Sequence, residues 1–365
     1  MTDRVLTLRE LNRATLARQM LLDRETLPIP DAIGRVAGLQ AQVPGPPYIG
    51  LWTRLRDFRR EDLTDCLERR QVVRAALMRS TLHLMTAEDY LLLRTSLQPA
   101  LVRALNAFFG KRSAGLDVDE LVAAARAALD EAPRAQGELR AVLAEIEPDR
   151  DPAALAYAVR SYLPMVQLPS GGRWGYSNKP PYAPADSWLG FQASDQEHPR
   201  ELILRYLAAF GPATVRDVQA WSGLVRLKEP VEALKPELRI FWDERGNELL
   251  DVPDAPLPPA DTPAPARFVP EYDNLVLSHA DRSRVISDEY RSKVFLSAGR
   301  VRATFLVDGF VRGTWRIEKS RSAATLVIEP FGPLPKEDRD ALTEEGEQLV
   351  RFVEDGAKAH AVRFE

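Results

Sequence analysis

Cysteine is nearly missing from this chain: Cys66 stands alone among 365 residues. No disulfide can form within it, which suits a reducing compartment. Histidine is scarce too, at 4 residues, so a zinc site of the Cys/His type lacks ligands. No apolar run approaches the ~20 residues that cross a bilayer. The N-terminal stretch MTDRVLTLRELNRATLARQM is charged and amphipathic, without a secretory core. Phosphate-cradling loops are absent as motifs, because Gly171-Gly172 lacks the GxGxxG or GxxxxGK(S/T) surroundings. No G-x-S-x-G elbow and no S-x-x-K pair stands out. These gaps predict a cytoplasmic protein with no membrane contact and no metal.

What is present is a globular composition, 45% hydrophobic and 28% charged, long enough for two or three domains. The net charge of −4 is unevenly spread. Residues 1–112 carry 18 basic and 12 acidic side chains, a net of +6, and residues 113–199 carry 7 and 13, a net of −6. Residues 281–316 add a patch of 8 basic and 4 acidic. Two basic blocks fit a phosphate-binding groove, and they equally fit an ordinary solvated surface.

The order of elements repeats. Residues 8–22, 30–39 and a stretch from Arg60 have helical spacing, followed by strand-like pieces at 72–78 and 81–85. Helices at 119–129, 136–145 and 152–161 lead to strands at 165–168 and 173–176 around Ser170-Gly171-Gly172. Helices at 201–210, 214–222 and 229–234 lead to strands at 238–242 and 248–252. Three helices closed by a hairpin is the order of a winged helix, a fold that usually binds DNA and also serves protein contacts. The predicted class is α+β, with winged-helix units over 1–112, 113–198 and 199–256. A proline-rich linker follows, and the C-terminal part, 257–365, reads as a β-meander turning at Asp308-Gly309 and a closing helix at 338–354.

Three constellations offer chemistry. Gln40 and Gln42 flank Ala41, between a helix end and Pro44, Pro46 and Pro47, which forbid a regular helix through this region. In an extended segment, residues i and i+2 point the same way. Two amides facing one point can orient a water or hydroxyl without titrating; the other reading is capping of loose helix carbonyls. Arg79, Ser80, Thr81 and His83 place a guanidinium, hydroxyls and an imidazole on an edge strand, with Arg79, Thr81 and His83 on one face. They form either a phosphate-binding surface or a structural strand. The stretch 271–284, with Tyr272, Asn274, His279, Arg282 and Arg284, is either a phosphate clamp or a polar domain joint. The tryptophans at 174, 188, 221 and 315 are expected in cores or interfaces.

The segments GLQAQVPGPPYIGLW, MRSTLHLM, RWGYS, LRYLAAFGPATVRDVQAWSGL, PEYDNLVLSHADRSRVI and VDGFVRGTW occur in this order. Together they resemble the tandem winged-helix, AlkZ-like DNA glycosylases, over nearly the whole chain. The resemblance implies three winged helices arranged in a C around a DNA channel, and metal- and cofactor-free excision of bulky N7-alkylguanines, including interstrand crosslinks. It puts the family's catalytic Gln–aliphatic–Gln motif on Gln40 and Gln42. It implies double-stranded DNA with an alkylated purine as partner; with the local chemistry above, Arg79, Ser80, Thr81, His83, Tyr272, Asn274, His279, Arg282 and Arg284 are the expected DNA contacts, and a monomer is the expected state. A related branch has Asp at the second motif position; Gln42 stands there here. The competing expectations are a non-catalytic DNA- or lesion-binding protein and a protein-interaction scaffold.

Overall fold

A computed structural model describes residues 4–365. In the first unit the helices Ile29–Arg35, Pro46–Trp52 and Arg60–Glu68 precede an antiparallel hairpin of Val72–Ala76 and Leu82–Thr86. A short strand, Leu39–Gln40, adds to the free side of Leu82–Thr86, with Gln40 opposite His83. The second unit packs Val118–Glu131, Gln136–Ile146 and Pro152–Tyr162 around Leu121, Leu143, Leu155 and Val159. Its strands Met165–Gln167 and Pro181–Pro184 join the first unit's hairpin through Arg74 opposite Gln167. The two wings therefore share one six-stranded sheet.

The third unit runs through Pro199–Phe210, Val215–Ser222 and Lys228–Leu234 to the hairpin Arg239–Asp243 and Glu248–Asp251. Thr214 starts its middle helix by accepting from the Asp217 N–H, while the Asp217 carboxylate accepts from the Thr214 N–H; Gly223, left-handed, ends it. Tyr206, Phe210 and Trp221 are fully buried against Met78, Leu97 and Val166, so all three units share a core. Beyond the proline-rich connection, a five-stranded sheet carries the helix Lys336–Val353 on one face. The turn at Asp308-Gly309 has two positive φ angles, the geometry such a hairpin needs.

Several expectations need correction. The helix Pro46–Trp52 begins inside the proline-rich segment, because Pro46 and Pro47 occupy its first turn, where no N–H is required. The expected strand at 173–176 is part of a turn, with Gly172 and Gly175 left-handed, and its place in the sheet is taken by Pro181–Pro184. The N-terminal helix, Leu8–Arg18, does not pack as the first helix of unit one. It lies on Pro199–Phe210, and the strand Val5–Leu6 pairs in parallel with the third unit's wing. A 23-residue helix, Ala87–Phe109, connects the first two units and was not expected.

Candidate active site

Gln40 ends its short strand and is only 7% exposed. Its Oε1 accepts from Arg79 Nη2 at 2.8 Å. Gln42 lies beyond the strand in a bend and is exposed; its Oε1 accepts from the Leu82 N–H at 3.3 Å. The backbone between them is held from both sides. Ala41 N–H donates to the Leu82 carbonyl at 2.7 Å, and buried Arg74 donates to the carbonyls of Ala41 and Gln42 at 2.9 and 3.3 Å. The two amide oxygens are thus held by different partners, and of the two glutamines it is Gln42 that lines the cleft. Neither caps the preceding helix. Each carbonyl oxygen has one partner and so keeps one lone pair.

Arg79 does not sit on a strand. It and Ser80 occupy the tight turn Met78–Ser80 with φ of 54° and 58°, a left-handed backbone that costs on the order of 1–3 kcal/mol per residue. Gly223 is packed so closely there that a Cβ would come 3.1 Å from the Arg79 Cα. Arg79 is half-buried and donates to the Trp221 carbonyl at 2.7 Å and Asn274 Oδ1 at 3.1 Å, besides Gln40. Burial lowers its pKa to about 10, and the nearby Arg282 charge adds to the effect. Among the described residues neither Arg79 nor Arg282 has a carboxylate partner.

His83 is fully buried, with Nδ1 on the Thr81 carbonyl at 3.1 Å. Burial first, and Arg79 second, push its pKa down to about 3, so it is neutral and supplies no acid at pH 7. Ser80 shares a hydrogen bond with Tyr157 at 2.9 Å, and the Thr81 hydroxyl turns back to the Met78 carbonyl.

The 271–284 stretch is largely a buried joint, which corrects its expected role as a phosphate clamp. Arg284, 5% exposed, donates to the Pro212 carbonyl at 3.0 Å, and His279 bonds the Phe210 carbonyl at 3.0 Å. Both satisfy the end of Pro199–Phe210 and cannot reach a phosphate. Asn274, buried, bridges Arg79 and the Gly38 carbonyl. Tyr272 is half-buried in a left-handed turn, and Arg282 stacks 4.3 Å over Phe295.

In front of Gln42 opens a cleft of about 1370 Å³ between the first two units. Its charged lining is Arg74, Arg160, Arg173 and Lys179 against Glu138; Arg173 is itself paired with Glu354 and Asp355, so Arg74, Arg160 and Lys179 give the cleft its positive excess although the chain is net acidic. The sequence reading missed all four cations. Only Arg74 left a signal, a lone charge inside the apolar strand VVRAA. The cluster of Gln40, Arg79, His83 and Asn274 is no metal-ligand set, and among the described residues no three His, Cys, Asp or Glu side chains gather elsewhere.

A basic cleft walled by two winged helices that share a sheet, with neutral amides at its edge, defines a protein built to work on a nucleic-acid backbone. The chain belongs to the DNA glycosylase AlkZ-like family, whose model matches residues 33–352. The interstrand DNA cross-link repair glycosylase of Streptomyces sahachiroi is 25% identical over 366 aligned positions, covering 92% of this chain and 94% of that one. The solved structure of the Streptomyces sahachiroi DNA glycosylase AlkZ superposes with a TM-score of 0.81 at 21% identity, over 99% of this chain and 100% of the other. The fold is the α+β one expected, and the chain is a hydrolytic DNA glycosylase of DNA repair.

Proposed function

We propose that this glycosylase removes bulky N7-alkylguanines from double-stranded DNA, including interstrand crosslinks, acting as a cytoplasmic monomer. Gln40 and Gln42 would serve as its water-orienting pair. The observation that carries the reading is chemical: an exposed amide, Gln42, faces the wide basic cleft, and among the described residues no carboxylate bonds to either glutamine.

Alkylation at N7 gives guanine a formal positive charge. When the bond from C1′ to N9 breaks, its electron pair goes to the base, which leaves neutral and needs no general acid. The water oxygen bonds to C1′, and the spare proton passes to solvent. The enzyme's share is to place that water and to offer partial negative charge to an oxocarbenium-like sugar. A neutral His83 and two amides suit this task. The cations in the cleft suit the phosphates on either side of the lesion. The relative named for crosslink repair supports including lesions that bridge two strands.

The test incubates the protein with duplex DNA alkylated at guanine N7 by a nitrogen mustard. Free adducted base and an alkali-labile abasic site are expected. A Gln40→Ala/Gln42→Ala variant should lose about 10²- to 10³-fold in rate, the scale for losing an oriented polar group at a reacting centre. Release no faster than spontaneous depurination, or full activity in the double variant, would overturn the proposal.

A further inference from the structure

We propose that Arg79 is the positioning residue of this site: its hold on the Gln40 carbonyl leaves the Gln40 amide nitrogen as a donor and Gln42 as the acceptor for the attacking water. The inference rests on the role proposed above for the two glutamines.

Three observations carry it. Arg79 joins three parts of the chain, bonding Gln40 of the first unit, the Trp221 carbonyl of the third and Asn274 of the C-terminal part. Every one of these acceptors is neutral. Arg18 and Arg54 are instead closed by Asp251 and Asp273, while Arg79, like buried Arg74 and Arg284, is held by neutral acceptors and keeps its charge uncancelled. Finally, Gln40 Nε2 has no protein acceptor among the described residues, yet it is not among the atoms sealed from solvent. Its two N–H groups are the free end of an otherwise fixed side chain. The left-handed backbone at Arg79 and Ser80, pressed against Gly223, holds the guanidinium in this one place.

The electronic consequence is a division of labour. A cation on an amide oxygen draws density from the nitrogen, strengthening its N–H donors and weakening the oxygen's remaining lone pair. Gln40 thereby becomes a donor. Gln42, whose oxygen meets only a backbone N–H at 3.3 Å, stays the better acceptor. A water that receives a hydrogen bond from Gln40 and gives one to Gln42 has one oxygen lone pair left to aim at C1′.

The test combines single-turnover excision, DNA affinity and side-chain amide NMR on the full chain. Arg79→Met should slow excision about 10²-fold, the cost of misplacing a reacting partner, with DNA affinity held within about threefold. Arg79→Lys, which keeps the charge and can still reach the carbonyl, should recover part of the rate. Gln40→Glu forms an ion pair with Arg79, so it should melt no lower than the parent protein, yet it has no donor and should be as slow as Gln40→Ala. The Gln40 amide protons should lie downfield of those of Gln42 and move upfield in Arg79→Met. Gln40→Glu at the parent rate, rate and affinity falling together in both Arg79 variants, or unmoved Gln40 resonances would each overturn the proposal. If the parent protein excises nothing from alkylated DNA, the lesion assignment fails, and the NMR shift alone decides whether Arg79 sets the Gln40 amide.

Discussion

Arg18 and Arg54 are fully buried and each meets an aspartate, whereas Arg79, half-buried, meets amides, a carbonyl and the neutral His83 imidazole. Arg18 forks onto Asp251 at 2.6 and 2.9 Å, tying the N-terminal helix to the third unit's wing. Arg54 forks onto Asp273 at 2.8 and 2.9 Å, tying the first unit to the C-terminal part. These are joints, and their charge is closed. At the Gln40 site the charge stays open, beside a cleft with four cations in its lining. A carboxylate next to Arg79 would hold the fold as firmly, but it would draw the guanidinium from the Gln40 carbonyl. The same side chain thus serves as a fastener in two places and as an orienting group in the third.

The sharpest way to break this contrast is to open a closed joint. Arg54→Ala leaves Asp273 buried and alone, and should cost roughly 3–5 kcal/mol, read as a fall in the denaturation midpoint. Arg54→Met/Asp273→Leu removes both charges and should cost much less. Asp273 also accepts from the Leu275 N–H at the start of Asn274–Leu277, so the double variant keeps a capping loss of about 1 kcal/mol. An Arg54→Ala loss under about 1 kcal/mol would mean that the joint carries no more than a surface pair.

The local chemistry of the fold was legible in the sequence, and the joints were not. Thr214 and Asp217 announce a helix start, and Asp308-Gly309 announces a hairpin, because each feature is satisfied within a few residues. Gln40 and Gln42 were visible as a pair from their spacing, but their partners, Arg79 and the Leu82 N–H, lie far along the chain and were not. Hydropathy misled where polar groups are buried in pairs. Asn12, Arg13, Arg18 and Gln19 make the N-terminal helix look half-solvated, yet all are buried against distant carbonyls and carboxylates. His279 and Arg284 misled in the same way. Arg79 was placed on a strand because nothing in Met78-Arg79-Ser80 signals two left-handed residues without glycine. Ala87–Phe109 was hidden by Pro99, which the helix carries on its exposed side.

Acid gives a second, smaller test of open against closed charge. His83 and His279 are both pushed down to about 3, by burial first and then by Arg79 and Arg284 respectively. The unfolded chain therefore binds more protons than the folded one between about pH 6.5 and 3. Stability is complete above that window and falls as pH drops through it, by at most about 1.4 kcal/mol per pH unit for each histidine. Burial raises Asp89 and Glu271, which take up protons in the folded state and oppose the loss. Asp217 pulls His279 back upward, whereas no carboxylate acts on His83. In Arg79→Met, imidazole NMR should show His83 titrating higher while His279 stays put. Equal movement of both would remove the distinction between the two sites.

The weakest expected effect isolates solvent as the variable. Arg351 and Glu347 form an i,i+4 pair on Lys336–Val353 at 3.0 Å, with side chains 57% and 48% exposed. The chemistry is that of Arg54 and Asp273, a guanidinium on a carboxylate. Water screens the attraction and solvates either partner left alone, so no charge is stranded when one is removed. Glu347→Ala should cost roughly 0.3–0.5 kcal/mol and shift the melting midpoint by about 1–2 °C. In 1 M salt, where the screening length is about 3 Å, that shift should vanish, while the Arg54→Ala loss should persist because ions cannot enter its joint. A salt-insensitive loss at Glu347 would mean that packing along the helix, and not charge, holds the surface pair.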